Sequence, residues 1–124
     1  MGIIRASKLP IDKSDPGVDA LRIVGSQVGA KHITGGIAKF SPGASILLHT
    51  HPCEEMVVVI EGKAVCELNG ECFEMQTYDT SFVKGGIPHR FINKSDKRMT
   101  IAYFYPSIKV TRDAVKFNKR GRNI

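Results

Sequence analysis

The chain has 124 residues, enough for one domain around one core, and no apolar run in it approaches the length of a membrane span. Lys and Arg outnumber Asp and Glu by 18 to 12, but most of the excess lies at the end. From position 107 onward Lys109, Arg112, Lys116, Lys119, Arg120 and Arg122 face the single acid Asp113, so the body of the chain is almost neutral.

The opening, Met1-Gly2-Ile3-Ile4-Arg5-Ala6, has too short an apolar run for a secretory signal, so a cytoplasmic protein is expected. Residues 1–20 are punctuated by Pro10, Pro16 and Gly17 and read as an irregular N-terminal arm. Its Ile3, Ile4, Leu9 and Ile11 are suited to lie across the body of the protein or a partner. Strands are expected at 21–28 and 36–40, the second closed by the turn signature Ser41-Pro42-Gly43. His32, in a polar and glycine-flanked segment between them, matches no motif position and reads as a surface or structural residue.

Residues 44–51 read as a strand whose parity puts Ser45, Leu47, His49 and His51 on one face, with Ile46 and Leu48 on the other. The two imidazoles can therefore reach one point. Glu55, four residues beyond His51, returns to that face if the chain stays extended. Two nitrogens and an oxygen converging in this way suit a divalent transition metal. The same spacing also fits two surface histidines beside an acidic turn.

Residues 54–60 alternate Glu55, Val57 and Val59 with Met56, Val58 and Ile60. Both faces of that strand are apolar and both call for cover. Asn69-Gly70 between apolar alternations predicts a hairpin of 64–68 and 71–75. In its register Cys66 faces Phe73 and Cys72 faces Glu67. Ala64, Cys66, Leu68, Phe73 and Met75 point in, while Val65, Glu67, Cys72 and Glu74 point out. The two thiols then point apart, which argues against a disulfide. The three cysteines show no CxxC or zinc-knuckle spacing; Cys53 lies between His51 and Glu55, where a soft thiol could stand near the site, but Pro52 bends the chain and parity gives it no direction. Further strands are expected at 80–84, at 89–93 with His89, Phe91 and Asn93 inward, and at 98–105, stopped by Pro106. Val110, Ala114 and Phe117 have helical spacing. Many short strands with almost no helical period predict an all-β sandwich or barrel over 21–106, followed by a basic tail at 107–124.

Two motifs carry a family resemblance. Gly43, five residues, His49-Thr50-His51, three residues, Glu55, six residues and Gly62 match the first cupin motif. Gly86, two residues, His89, three residues and Asn93 match the end of the second. The chain thus resembles a small single-domain cupin. That resemblance implies a cupin double-stranded β-helix, a jelly-roll-like barrel, with His49, His51, Glu55 and His89 as metal ligands and a homodimer as the common assembly. Two positions depart from the family pattern: Tyr78 stands where the second motif opens with glycine, and Lys84 where it has proline.

A shell of three imidazoles and one carboxylate suits Fe(II), Mn(II) or Ni(II), and also admits Zn(II) or Cu(II), leaving two positions of an octahedral ion for water or substrate. Leu47, Val57, Val59, Phe82 and Phe91 imply an apolar lumen for a small organic molecule. The expected function is a metal-dependent oxygenase, an oxidoreductase of the dioxygenase type. The alternatives are a redox-silent isomerase or lyase and a non-catalytic binding module. Tyr78, Lys84, Arg90, Tyr103 and Tyr105 are polar candidates near the mouth, none of them a compelling catalytic partner. The basic tail offers only Phe117 for stacking, so a solvated terminus is expected rather than a nucleic-acid arm. No helix-turn-helix pattern accompanies the strands.

Overall fold

The computed structural model describes residues 1–115. Its strands are β1 (Val18–Val24), β2 (Thr34–Phe40), β3 (His49–Thr50), β4 (Glu55–Glu61), β5 (Ala64–Leu68), β6 (Glu71–Met75), β7 (Thr80–Val83), β8 (His89–Ile92), β9 (Met99–Tyr105) and β10 (Asp113–Ala114). They form two five-stranded antiparallel sheets, ordered β1-β2-β9-β4-β7 and β10-β3-β8-β5-β6. This is the jelly-roll-like barrel that the resemblance implies. Among the described residues no helix is long and apolar enough to cross a membrane.

The two inner faces bury Phe40, Val57, Val59, Cys66, Phe91, Met99 and Ile101. The alternation of β4 holds: Glu55, Val57 and Val59 are buried while Met56 and Ile60 are exposed. The hairpin forms in the expected register, with Cys66 opposite Phe73 and Glu67 opposite Cys72, and the cysteines are unpaired. Asn69 and Gly70 both take positive φ, 49° and 85°, as a two-residue hairpin turn of the type I′ kind requires.

Several expectations are corrected. The first strand starts at Val18 and ends at Val24, after a register shift between Arg22 and Val24, and residues 26–28 form a 3-10 turn. The second strand extends back through Gly35 to Thr34. A Cβ at Gly36 would stand 2.2 Å from the Leu21 carbonyl oxygen and 2.6 Å from the Tyr103 hydroxyl, so close backbone approach, not β propensity, selects glycine there. Phe73 is 45% exposed, because β6 is an edge strand with no sheet over its outer side. Helical spacing at Val110 and Ala114 is overruled by pairing: Asp113 and Ala114 form β10 against β3. Phe117 and the basic residues from Lys116 on lie outside the described residues.

The parity expected for 44–51 also breaks. Only His49 and Thr50 pair as regular strand, and Ser45 makes an isolated bridge to Ile92. Between them the alternation slips, so that Ile46 lines the cavity and Leu47 is 40% exposed. Phe82 likewise faces outward, 57% exposed, because it pairs with Met56 on the solvent side of β4. Together with Ile33, Phe104 and Pro106 these two make an apolar groove on the outside of the sheet.

Candidate metal centre

Sheet pairing places the ligand candidates. His49 on β3 stands directly opposite His89 on β8. His51 follows β3 by one residue, and Glu55 opens β4 with its side chain directed into the barrel. All four are buried, at 5% exposure or less. The imidazole nitrogens of His49, His51 and His89 all lie within 4.8 Å of one another, a grouping able to hold a metal ion. The Nε2 atoms of His49 and His51 are 3.0 Å apart. Glu55 adds Oε1 at 2.9 Å and Oε2 at 3.8 Å from the Nε2 atoms of His89 and His51 respectively.

The protonation of these rings follows from their partners. The Nδ1 of His49 meets the Leu47 carbonyl at 2.7 Å, that of His89 meets the Ile87 carbonyl at 2.8 Å, and that of His51 meets the Thr111 carbonyl at 2.8 Å. A carbonyl only accepts, so each Nδ1 carries the proton. Each neutral ring therefore turns an Nε2 lone pair toward the same place. Glu55 Oε1 and His89 Nε2 are buried with no hydrogen-bond partner of acceptable geometry, although they lie 2.9 Å apart. With His89 neutral, two acceptors face each other there, and so do two more between His49 and His51.

Such an arrangement calls for positive charge at its centre. Two ligand atoms at about 2.1 Å from an ion, subtending a right angle, are about 3.0 Å apart, which is the spacing of the His49 and His51 nitrogens. The donor set and the orphaned atoms thus fit a divalent cation.

The electrostatics agree. Burial lowers His49 to about 4, and burial lowers His51 too, so both rings are held neutral. At His89 burial opposes the charged form, but the adjoining Glu55 carboxylate and the Ile87 carbonyl outweigh it and raise the ring above its ordinary value. Burial would raise Glu55, yet His89, Tyr105 and His51 together lower it. The carboxylate is therefore ionised and His89 is the ring most inclined to hold a second proton.

The centre opens into a cavity of about 310 Å³. Val18, Phe40, Val57, Phe91 and Ile101 supply an apolar wall, while Asp12, Asp15, Arg22 and Arg112 stand among its polar lining. His89 is not among the residues that line it. Tyr103 and Tyr105, whose face parity alone left open, point inward. The Tyr105 hydroxyl is 3.1 Å from His51 Nε2. Burial, then the Glu55 charge, pushes the Tyr105 phenol up, and burial does the same to Tyr103, so both keep their protons.

The other polar candidates lie elsewhere. Arg90 pairs outside with Glu67, and Lys84 and the 77%-exposed Tyr78 are on the surface. His32 is exposed, as expected. Cys53 is half-buried and off the cavity, and burial, then Glu55, raises its thiol. Sequence reasoning missed Arg22 and Arg112. Arg22 shares strand parity with Val18 and Ala20, which could have placed it; Arg112 arrives only because the chain returns, and no local signal announces that.

The Cupin domain family (Cupin_2) matches residues 36–105, more than half of the chain. The polyketide synthase CurC of Streptomyces cyaneus is 34% identical over 77 residues, spanning 61% of this chain and 50% of that protein. The tetracenomycin polyketide synthase protein TcmJ of Streptomyces glaucescens is 33% identical over 72 residues, 57% of this chain and 48% of that one. The chain thus spans about half the length of the curated relatives it matches. Among solved structures, the polyketide cyclase RemF of Streptomyces resistomycificus superposes with a TM-score of 0.81 at 19% identity, covering 96% of this chain and 88% of that one. At such identity the likeness is one of fold.

Proposed function

We propose, from the premise that this chain belongs to the cupin family, that it is a metal-dependent enzyme acting on a small organic molecule in the barrel cavity. Its chemistry on this reading is redox-silent, of the isomerase, lyase or cyclase kind. The observation that carries the proposal is the convergence of three Nε2 lone pairs and the Glu55 carboxylate beside the Tyr105 hydroxyl. The donor set suits Fe(II), Mn(II) or Ni(II), with His49, His51, Glu55 and His89 as ligands. Such an ion supplies Lewis-acid polarisation of a carbonyl oxygen.

The chain's own residues supply the rest. Val57, Phe91 and Ile101 hold a carbon skeleton out of water. Tyr105, kept protonated, donates a hydrogen bond to an oxygen on which negative charge develops. Ring closure in a polyketone-type substrate fits this equipment, and the curated relatives, both named as polyketide synthase proteins, support that class. The oxygenase reading remains as the second, favoured by the ligand set in an apolar cavity; no relative's name specifically supports it. The apolar groove of Met56, Phe82 and Phe104 supports a homodimer.

The test loads metal-free protein with Mn(II), Ni(II), Zn(II) or, anaerobically, Fe(II), and offers a panel of poly-β-ketones. Turnover without oxygen uptake is expected, and His51→Ala should lose metal while keeping most of the barrel folded. Turnover that requires dioxygen overturns the redox-silent reading. Stoichiometric metal in His51→Ala overturns the ligand assignment.

A further inference from the structure

The three imidazoles are not oriented alike. His49 and His89 donate Nδ1–H to carbonyls two residues earlier in their own segments, Leu47 and Ile87. Those bonds stay within each histidine's own segment. His51 instead donates to Thr111, 60 residues further along. Its tautomer and ring angle therefore depend on a separate piece of chain.

That piece, residues 107–115, runs back over the site. Thr34 Oγ1 donates to the Ser107 carbonyl at 2.7 Å, and Val115 N donates to the Leu48 carbonyl at 2.9 Å. Between these ends the only regular pairing is the two-residue β10, at the edge of its sheet. The remaining hold is Arg112, whose Nη1 and Nη2 reach the two oxygens of Asp15 at 2.9 and 3.4 Å. This fork joins the tail of the chain to its N-terminal arm, and Asp15 and Arg112 both line the cavity. Arg112 immediately follows the carbonyl that His51 needs.

We propose that residues 107–115 form a strap that positions His51, and that Asp15 and Arg112 are the clasp keeping it seated. They are positioning residues, acting through the Thr111 carbonyl. With the strap displaced, His51 is free to carry its single proton on Nε2. That removes one of the three lone pairs, and the cavity loses Val110 and Arg112 from its wall. The effect on metal rests on the reading of these histidines as ligands; the effect on the ring itself does not.

The test uses the full chain with zinc as the probe, in Arg112→Ala, in Asp15→Ala, and in the exchanged pair Asp15→Arg with Arg112→Asp. Each single variant is expected to weaken zinc binding about tenfold, the low end for losing an outer-shell support. Nitrogen-15 spectra of the metal-free protein should lose the protected Nδ1–H of His51 while those of His49 and His89 persist. The exchanged pair should recover both signals, which general destabilisation does not predict. Zinc affinity within twofold of the parent, with the His51 proton still protected in both single variants, overturns the proposal. If the His51 proton is lost selectively but the parent binds no zinc, the clasp stands and the metal reading falls.

Discussion

Asn93 closes β8 with no exposed surface, and its replacement tests how the segments bearing His49 and His89 are held together. Its backbone accepts from Gly43 N and donates to the Ala44 carbonyl, both at 2.8 Å, so it ties the segment leading to His49 to the one that carries His89. Its side chain does four things. Nδ2 donates to the Phe40 carbonyl at 3.1 Å and to the Lys97 carbonyl at 2.7 Å, and Oδ1 accepts from Ser95 N at 3.1 Å and Ser95 Oγ at 2.8 Å. In Asn93→Ala the Ser95 groups can turn to water, whereas the Phe40 carbonyl loses its donor in the interior. Adding that orphaned acceptor to the net loss of the other bonds gives about 3 kcal/mol. For a domain of this size that lowers the thermal midpoint by about 10 °C.

Asn93→Asp keeps the shape but turns an acceptor oxygen toward two carbonyls, so it should cost at least as much at neutral pH. Protonating that aspartate restores one donor. Its pKa in the folded chain must then lie above the unfolded value, and its deficit should shrink as pH falls through that range. Urea denaturation of the three proteins across pH is the measurement. A loss below about 1 kcal/mol for the alanine variant, or an aspartate variant as stable as the parent at pH 7, refutes the hydrogen-bond argument.

Two further outcomes are expected. With burial holding His49 near 4 and lowering His51, His89 is the one ring whose proton competes with metal near neutrality. Metal affinity should therefore fall about tenfold per pH unit as pH drops below the raised value of His89, a slope of one proton; calorimetric titrations giving a slope of two or three count against this. Tyr78 holds φ at 76° while its side chain is 77% exposed, so Tyr78→Gly relieves left-handed strain at little loss of packing. After the entropy cost of glycine the gain should be about 0.5–1 kcal/mol, and an unchanged or lowered urea midpoint speaks against it.

Much of the barrel was legible because its signals are local. Asn69-Gly70 sets the hairpin register without help from the rest of the chain, and period-two alternation assigns both faces of β4. The four ligand candidates were legible from the spacing of two motifs. What escaped depends on distant chain. Gly35 opposes strand formation by propensity, and only the fold explains it: a Cβ there would stand 3.2 Å from the Phe104 ring and 3.3 Å from the Tyr103 carbonyl oxygen. The slip between Ser45 and His49 reflects a segment held by single bonds, among them Ile46 N to the Phe91 carbonyl at 3.2 Å, where no continuous ladder enforces parity. The departure at Tyr78 was visible as a mismatch, but its meaning, a left-handed residue without glycine, needed the backbone angle.

The strand order carries a consequence for how the protein comes into being. His49 and His89 face one another, yet the whole excursion through β4, the hairpin and β7 is synthesised between them. A ribosome that has delivered His49, His51 and Glu55 has made three of the four candidate ligands, and contacts closed over such long stretches form late. If these four residues hold an ion as proposed, its capture awaits β8, and the appearance of bound metal in a refolding experiment reports the closing of the barrel.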